Sequence, residues 1–240
     1  MFGQLFRNMT EVVKNLLIIN VLFFIAQNII PEIDINLSLF PIISEQFKPW
    51  QLATHFFMHA NLGHIFFNMF ALVIFGSQLE RIWGPKRFLT YYFITGFGAA
   101  FLHLVVNYLR IKNFEVLFTE EEINIVLNEG YNLLSTGYNY NGEAGILNAM
   151  YNVPMIGASG AVFGLLAAFG YLFPNTKLML LFPPIPIKAK FFVIGYAALE
   201  LYLGMANNPG DNVAHFAHLG GALIGILMVL YWNKNKKSFF

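Results

Sequence analysis

Two side chains sit where a serine could act as a nucleophile and find its base. Ser159 lies in Gly157-Ala158-Ser159-Gly160, with Ala161-Val162-Phe163-Gly164 following. A serine hydroxyl attacks a carbonyl only when a neighbouring base takes its proton. The tetrad is not the G-x-S-x-G elbow of soluble hydrolases, and no strand precedes it. By itself it reads first as helix-packing material, since small residues let helices approach closely in a membrane. A base is offered by Ala217-His218-Leu219-Gly220-Gly221-Ala222-Leu223-Ile224-Gly225. Gly221 and Gly225 fall on the helical face of His218, and Gly160 and Gly164 bear the same i, i+4 relation beside Ser159. If the two bare faces meet, nucleophile and base lie at similar depth, each near an outer helix end. The competing reading is a packing interface with an incidental histidine.

A third set of polar groups opens another apolar run, His55-Phe56-Phe57-Met58-His59-Ala60-Asn61-Leu62-Gly63-His64-Ile65-Phe66-Phe67-Asn68. His64 and Asn68 share one helical face, and both can donate hydrogen bonds to the oxyanion of a tetrahedral intermediate. The histidine spacing also raises a metal site, because His-x3-His and His-x4-His can share ligands. No carboxylate accompanies the run and Asn68 is a poor zinc ligand, so neither metal nor cofactor is expected. His55 and His59 read as loop anchors. Glu200 reads either as a gating or relay residue or, as is commoner for a carboxylate in a span, as a group that is protonated or paired with a polar neighbour. His103 and Asn107 read as interface residues. His215, one turn outward of His218, is a rival base without the glycine face.

These groups need elements to hold them, and the composition says of what kind. The 240 residues are 57% hydrophobic and 11% charged, against about 25% charged in a soluble domain. A net charge of +1 argues against a nucleic-acid partner, because phosphate binding needs a concentrated basic face. The absence of cysteine removes disulfides, thiolate nucleophiles and zinc–thiolate sites. About 20 apolar residues cross a hydrocarbon core. Candidate spans are residues 12–30, 62–79, 88–108, 157–173, 189–206 and 213–232. The first lacks a small-residue cleavage site and reads as a retained span. The fold class is therefore an all-α membrane protein of six transmembrane helices, a single domain over 1–240, with no alternation of the membrane-barrel kind.

Of the 14 basic residues, Arg7, Lys14, Arg81, Lys86, Arg87, Lys177, Lys188, Lys190, Lys234, Lys236 and Lys237 fall at one set of ends. Only Lys48, Arg110 and Lys112 fall at the other. The positive-inside rule then places both termini in the cytoplasm and segments 31–61, 109–156 and 207–212 outside. The first of these is rich in aromatics and proline. The second begins a helix at Thr119-Glu120-Glu121-Glu122, a capping-box pattern, with Ile123, Val126 and Leu127 on one face.

Four separated patches together resemble the rhomboid family: Trp50-Gln51 with the His59…His64…Asn68 run, Gly76-x3-Glu80-x3-Gly84, Gly157-Ala158-Ser159-Gly160, and Ala217-His218-x2-Gly221-x3-Gly225. The resemblance implies a six-helix fold with a water-filled cavity, in which a Ser–His dyad works without a carboxylate. It makes Ser159 the nucleophile and His218 the base of an intramembrane serine endopeptidase. The oxyanion donors would be the Ser159 backbone N–H, His64 and Asn68, while Glu80, Gly84, Gly221 and Gly225 would be structural. The partners it implies are transmembrane protein substrates and the lipid bilayer, with a bacterial cytoplasmic membrane as the expected location. Gln51 stands where many relatives have arginine. Phe163 replaces a tyrosine of some relatives, which keeps ring stacking on His218 and removes a hydroxyl contact. The 109–156 segment is longer than a minimal rhomboid needs. The alternatives are a catalytically silent relative that binds membrane clients, which would normally lack one dyad residue, and a small transporter, which would show repeated halves or broken helices.

Overall fold

A computed structural model describes residues 8–30, 32–179, 184–206 and 213–234. The segment 207–212 and the basic residues Arg7, Lys236 and Lys237 lie outside the described residues. The chain is mostly helical. In order, the main helices are α1 (Glu11–Gln27), α2 (Leu62–Trp83), α3 (Pro85–Phe114), α4 (Glu120–Ser135), α5 (Gly142–Asn152), α6 (Ser159–Leu172), α7 (Ala189–Ala206) and α8 (His215–Lys234).

Four described helices are long and apolar enough to cross a membrane: α2, α3 with its continuation to Leu117, α7 and α8. Helices α1 and α6 coincide with the other two expected runs but have only 17 and 14 residues. At 1.5 Å per residue, α6 is about 21 Å long, short of a hydrocarbon core of about 30 Å. It is nonetheless the centre of the molecule, since every residue from Gly160 to Gly170 is buried. Helices α3 and α8 enclose it through small residues. A Cβ at Gly221 would lie 1.9 Å from the Gly160 carbonyl oxygen, and one at Gly164 would lie 2.6 Å from Thr95 Cβ. The Tyr91 hydroxyl donates to the Gly164 carbonyl at 2.7 Å. By contrast, α7 buries only Ala189, Glu200 and Gly204 and leaves Phe191, Ile194, Leu201 and Tyr202 exposed, which suits a helix facing lipid.

Glu80 and Gly84 organise one end of the bundle. The Glu80 carboxylate accepts from the Val12 and Val13 amides at 3.1 and 3.0 Å and from the Thr10 hydroxyl. It thus caps the open N–H groups at the start of α1, in place of the expected role of fixing the turn after α2. Gly84 takes φ 77° between α2 and α3, with Pro85 as the first residue of α3; the positive φ favours glycine, and proline suits a first turn.

The two long connections are structured. In 31–61 the buried Gln51 amide accepts from the Phe40 and Lys48 N–H groups and donates to the Ile35 and Gln46 carbonyls. Leu39 pairs reciprocally with Met155 at 3.0 and 2.8 Å, tying this connection to the chain just before Ser159. In 109–156 the expected capping box is present between Thr119 and Glu122, but the segment holds two helices rather than one. Ile111, Val126, Leu147 and Tyr151 form a small core beneath them. Asn148 donates to the Gly130 carbonyl at 3.1 Å, a crossing that needs glycine because a Cβ there would lie 1.9 Å from Asn148 Oδ1. The sequence reading also gave no strand between α6 and α7, where β1 (Lys177–Met179) and β2 (Pro186–Lys188) pair antiparallel.

Candidate active site

Ser159 is the first residue of α6, so the amides around it open a helix and have no intrahelical acceptor. The turn before it is held by the Gly157 amide, which donates to the His55 carbonyl at 2.8 Å. Gly157 has φ 110°, and a Cβ there would lie 2.7 Å from His64 Nε2. Both observations require glycine, and the second brings His64 to the edge of the serine turn.

His218 lies in the first turn of α8. The close approach of Gly221 to Gly160 sets the spacing of α6 and α8, and Ser159 Oγ lies 2.9 Å from His218 Nε2. The Phe163 ring, one turn along α6 from Ser159, stacks on the imidazole with centroids 4.1 Å apart and planes 5° from parallel. His218 is thus clamped between a ring face and its two hydrogen-bond partners.

The second partner departs from the sequence reading. The resemblance implies a base without a carboxylate, yet Glu200 Oε2 lies 2.9 Å from His218 Nδ1 and 2.6 Å from His215 Nδ1. The physical reason is helical spacing. His215 and His218 share a face of α8, and Glu200, with Gly204 one turn on, forms the buried face of α7. His215 is therefore not placed as a rival base, since it is the His218 ring nitrogen that lies within hydrogen-bond distance of Ser159 Oγ. Glu200, His215 and His218 are also the one group among the described residues whose side chains could together hold a metal ion. Two N–H···O bonds already account for that geometry.

Of the histidine run, His55 Nδ1 pairs with the Gln51 carbonyl at 2.8 Å. The His59 amide and carbonyl bond the side chain of Gln27. His55 thus anchors its loop through its side chain, as expected, whereas the Gln27 bonds at His59 are main-chain and its ring makes only a 3.4 Å contact from Nδ1 to the Phe57 carbonyl. His64 Nδ1 accepts from the Ala60 amide at 3.3 Å, and its own amide bonds the Asn61 side chain. That tautomer leaves the proton on Nε2, the atom nearest Gly157. Asn68 is buried, and its Nδ2 donates to the His64 carbonyl at 3.1 Å, which uses one of its two N–H bonds. His103 and Asn107 line a cleft together with Arg110 and His215, and Asn107 also donates to the Met150 carbonyl.

The serine, histidine and carboxylate contacts can activate a hydroxyl, and the donors around Gly157 can receive an oxyanion. Glu200 is paired with polar neighbours, as one sequence reading had it, but that these are His215 and the base His218 was not foreseen. Its signal was a lone acid in an apolar run, followed by two histidines three residues apart.

The chain matches relatives of one kind. The family profile described as Rhomboid domain covers residues 46–235. Rhomboid protease AarA of Providencia stuartii is 28% identical over 75% of this chain and 54% of its own length. RHOMBOID-like protein 12, mitochondrial, of Arabidopsis thaliana is 26% identical over 96% of this chain and 60% of its own. Rhomboid protein 1, mitochondrial, of Saccharomyces cerevisiae is 28% identical over 74% and 40%. The chain thus spans about half the length of these relatives. Several being mitochondrial, they lend no support to a bacterial cytoplasmic membrane as its location. A match over most of the chain, with four described helices long and apolar enough to cross a membrane, makes this a multi-pass membrane protein that belongs to the rhomboid family.

Proposed function

We propose that the chain is an intramembrane serine endopeptidase cutting transmembrane proteins near the outer membrane face. The observation that carries the reading is the 2.9 Å contact between Ser159 Oγ and His218 Nε2, with His218 buried in a mostly apolar bundle. The proposed arrangement has six spans, α1, α2, α3, α6, α7 and α8, with both termini on the side bearing most lysines and arginines. The short α6 then begins below the outer surface. Ser159 lies within the thickness of the bilayer, so water must reach it through the protein.

Ser159 Oγ attacks the scissile carbonyl carbon while its proton passes to His218 Nε2. The resulting oxyanion takes hydrogen bonds from the Ser159 amide, His64 Nε2 and Asn68 Nδ2, aided by the positive end of α6. As the C–N bond breaks, His218 returns its proton to the leaving amine. Water, activated by the same imidazole, then releases the acyl group and restores Ser159. A helical substrate keeps its peptide bonds hydrogen-bonded in lipid, so cleavage favours segments with small, helix-destabilising residues.

The test is a fluorophosphonate probe on the purified, solubilised protein, beside cleavage of a panel of transmembrane substrates. Labelling and cleavage should both occur, with the label on Ser159, and both should vanish in Ser159→Ala and His218→Ala. Labelling that survives Ser159→Ala overturns the assignment. A protein that neither labels nor cleaves is the client-binding relative instead. Loss of cleavage on adding EDTA would favour a metal held by Glu200, His215 and His218.

A further inference from the structure

We propose that Glu200 is a positioning residue for His218, making the site a Ser–His–Glu relay rather than a two-residue dyad. The inference rests on the protease reading above. For Ser159 Oγ to donate to His218 Nε2 that nitrogen must be unprotonated, so the proton of the neutral ring sits on Nδ1. Glu200 Oε2 is 2.9 Å from Nδ1, where only an acceptor is useful. The same oxygen takes the His215 Nδ1 proton at 2.6 Å, and an oxygen receiving two N–H bonds is carboxylate in character. Glu200 is 3% exposed and is the only acid in α7, a helix that otherwise turns large apolar side chains outward. A buried carboxylate in such a helix is costly unless it is fully paired, and here all of its pairing is directed at the base and its neighbour.

Geometry gives the carboxylate two tasks. It selects the Nδ1–H tautomer, and it offsets the positive charge that forms on the ring when Ser159 gives up its proton. His215 bears on the same oxygen from the turn outward and lines the cleft shared with His103, Asn107 and Arg110. It keeps Oε2 fixed in front of His218.

The experiment compares the wild-type chain with Glu200→Gln, both full-length, in the fluorophosphonate and cleavage assays. Glutamine keeps the shape and removes the charge. The expected result is a fall in kcat of about 10²- to 10⁴-fold, the upper figure being that for loss of the triad carboxylate in a serine protease. KM and thermal midpoint should stay near wild type, and the labelling rate should fall with kcat. A purely structural Glu200 would lower the midpoint and leave kcat of the folded fraction intact, which overturns the inference. Should the variant fail to fold, ¹⁵N-histidine NMR of the wild type decides. A His218 Nδ1 proton shifted downfield of ordinary imidazole N–H groups, as a charge-assisted bond requires, supports the relay, and an ordinary position overturns it. If the wild type itself neither cleaves nor labels, the protease reading falls, and this inference with it. If the wild type works and Glu200→Gln works equally well, only this inference falls.

Discussion

Replacing Gly221 by alanine adds one methyl group at the closest approach of the two helices that carry Ser159 and His218. That Cβ would meet the Gly160 carbonyl oxygen at 1.9 Å and its carbon at 2.8 Å, where ordinary contacts begin near 3.4 Å. Both neighbours are backbone, so no side chain can swing aside, and α6 and α8 must separate by about 1.5 Å or tilt. Gly221 lies one turn from His218, so most of that displacement reaches the 2.9 Å contact with Ser159. A misplacement of about 1 Å at reacting groups can cost roughly a hundredfold in rate, so turnover should fall by at least about that factor. Helix propensity works the other way, since alanine is favoured over glycine by up to about 1 kcal/mol in a helix interior. Activity is therefore expected to fall more than stability. The assay is cleavage of a reconstituted transmembrane substrate at saturation, with Gly195→Ala as control, because a Cβ at Gly195 meets nothing within 4 Å. Near-wild-type turnover in Gly221→Ala, with the protein folded, would refute the reasoning that this contact sets the nucleophile–base distance.

Asn68→Ala should slow turnover by about a hundred- to a thousandfold, the usual cost of one oxyanion donor, while substrate binding changes little. Weaker binding with normal saturated turnover would make Asn68 a recognition residue. Glu80→Ala leaves the amides of Val12 and Val13 and the Thr10 hydroxyl without their acceptor, and should cost about 1–3 kcal/mol, read as a lower thermal midpoint. Turnover of the folded fraction should be unchanged, and lost turnover at full stability would contradict the capping role. A cysteine replacing Asn139 should react with an impermeant maleimide added from outside, and one replacing Lys86 should not. The reverse pattern would overturn the proposed orientation.

Much of this architecture could be read from the chain because lipid imposes simple rules. Apolar runs gave the positions of α1, α2, α3, α6, α7 and α8, and paired glycines marked the faces that meet. Phe163 was readable as a ring against His218 through the family resemblance, and its place one helical turn from Ser159 realises that stacking. What escaped depended on contacts between separate connections or helices. Glu200 meets His218 only because the buried face of α7 lies against the first turn of α8, and nothing local encodes that pairing. Helix α5 was missed because Gly142–Asn152 carries a mixed polar face, and its burial depends on Gly130 and Ile111 from elsewhere. The reach of α3 to Phe114 was underestimated because hydropathy falls at Arg110 and Lys112 while helical hydrogen bonding continues. Glu80 was expected to fix the turn after α2, but its carboxylate instead bonds the start of α1, a contact between separate helices.

The Glu80 cap bears on how the chain is assembled during synthesis. The donors at the start of α1 are satisfied by a side chain almost 70 residues later. In the proposed six-span arrangement, α1 enters the bilayer before its acceptor has been made. Those amides must remain hydrated at the interface until α2 has followed and brought Glu80 back to the same side. The first helix can therefore take its final depth only as one half of a helical pair. Its insertion is a provisional state that the second span converts into a fixed one, and a translocation machinery that released α1 alone would release it uncapped.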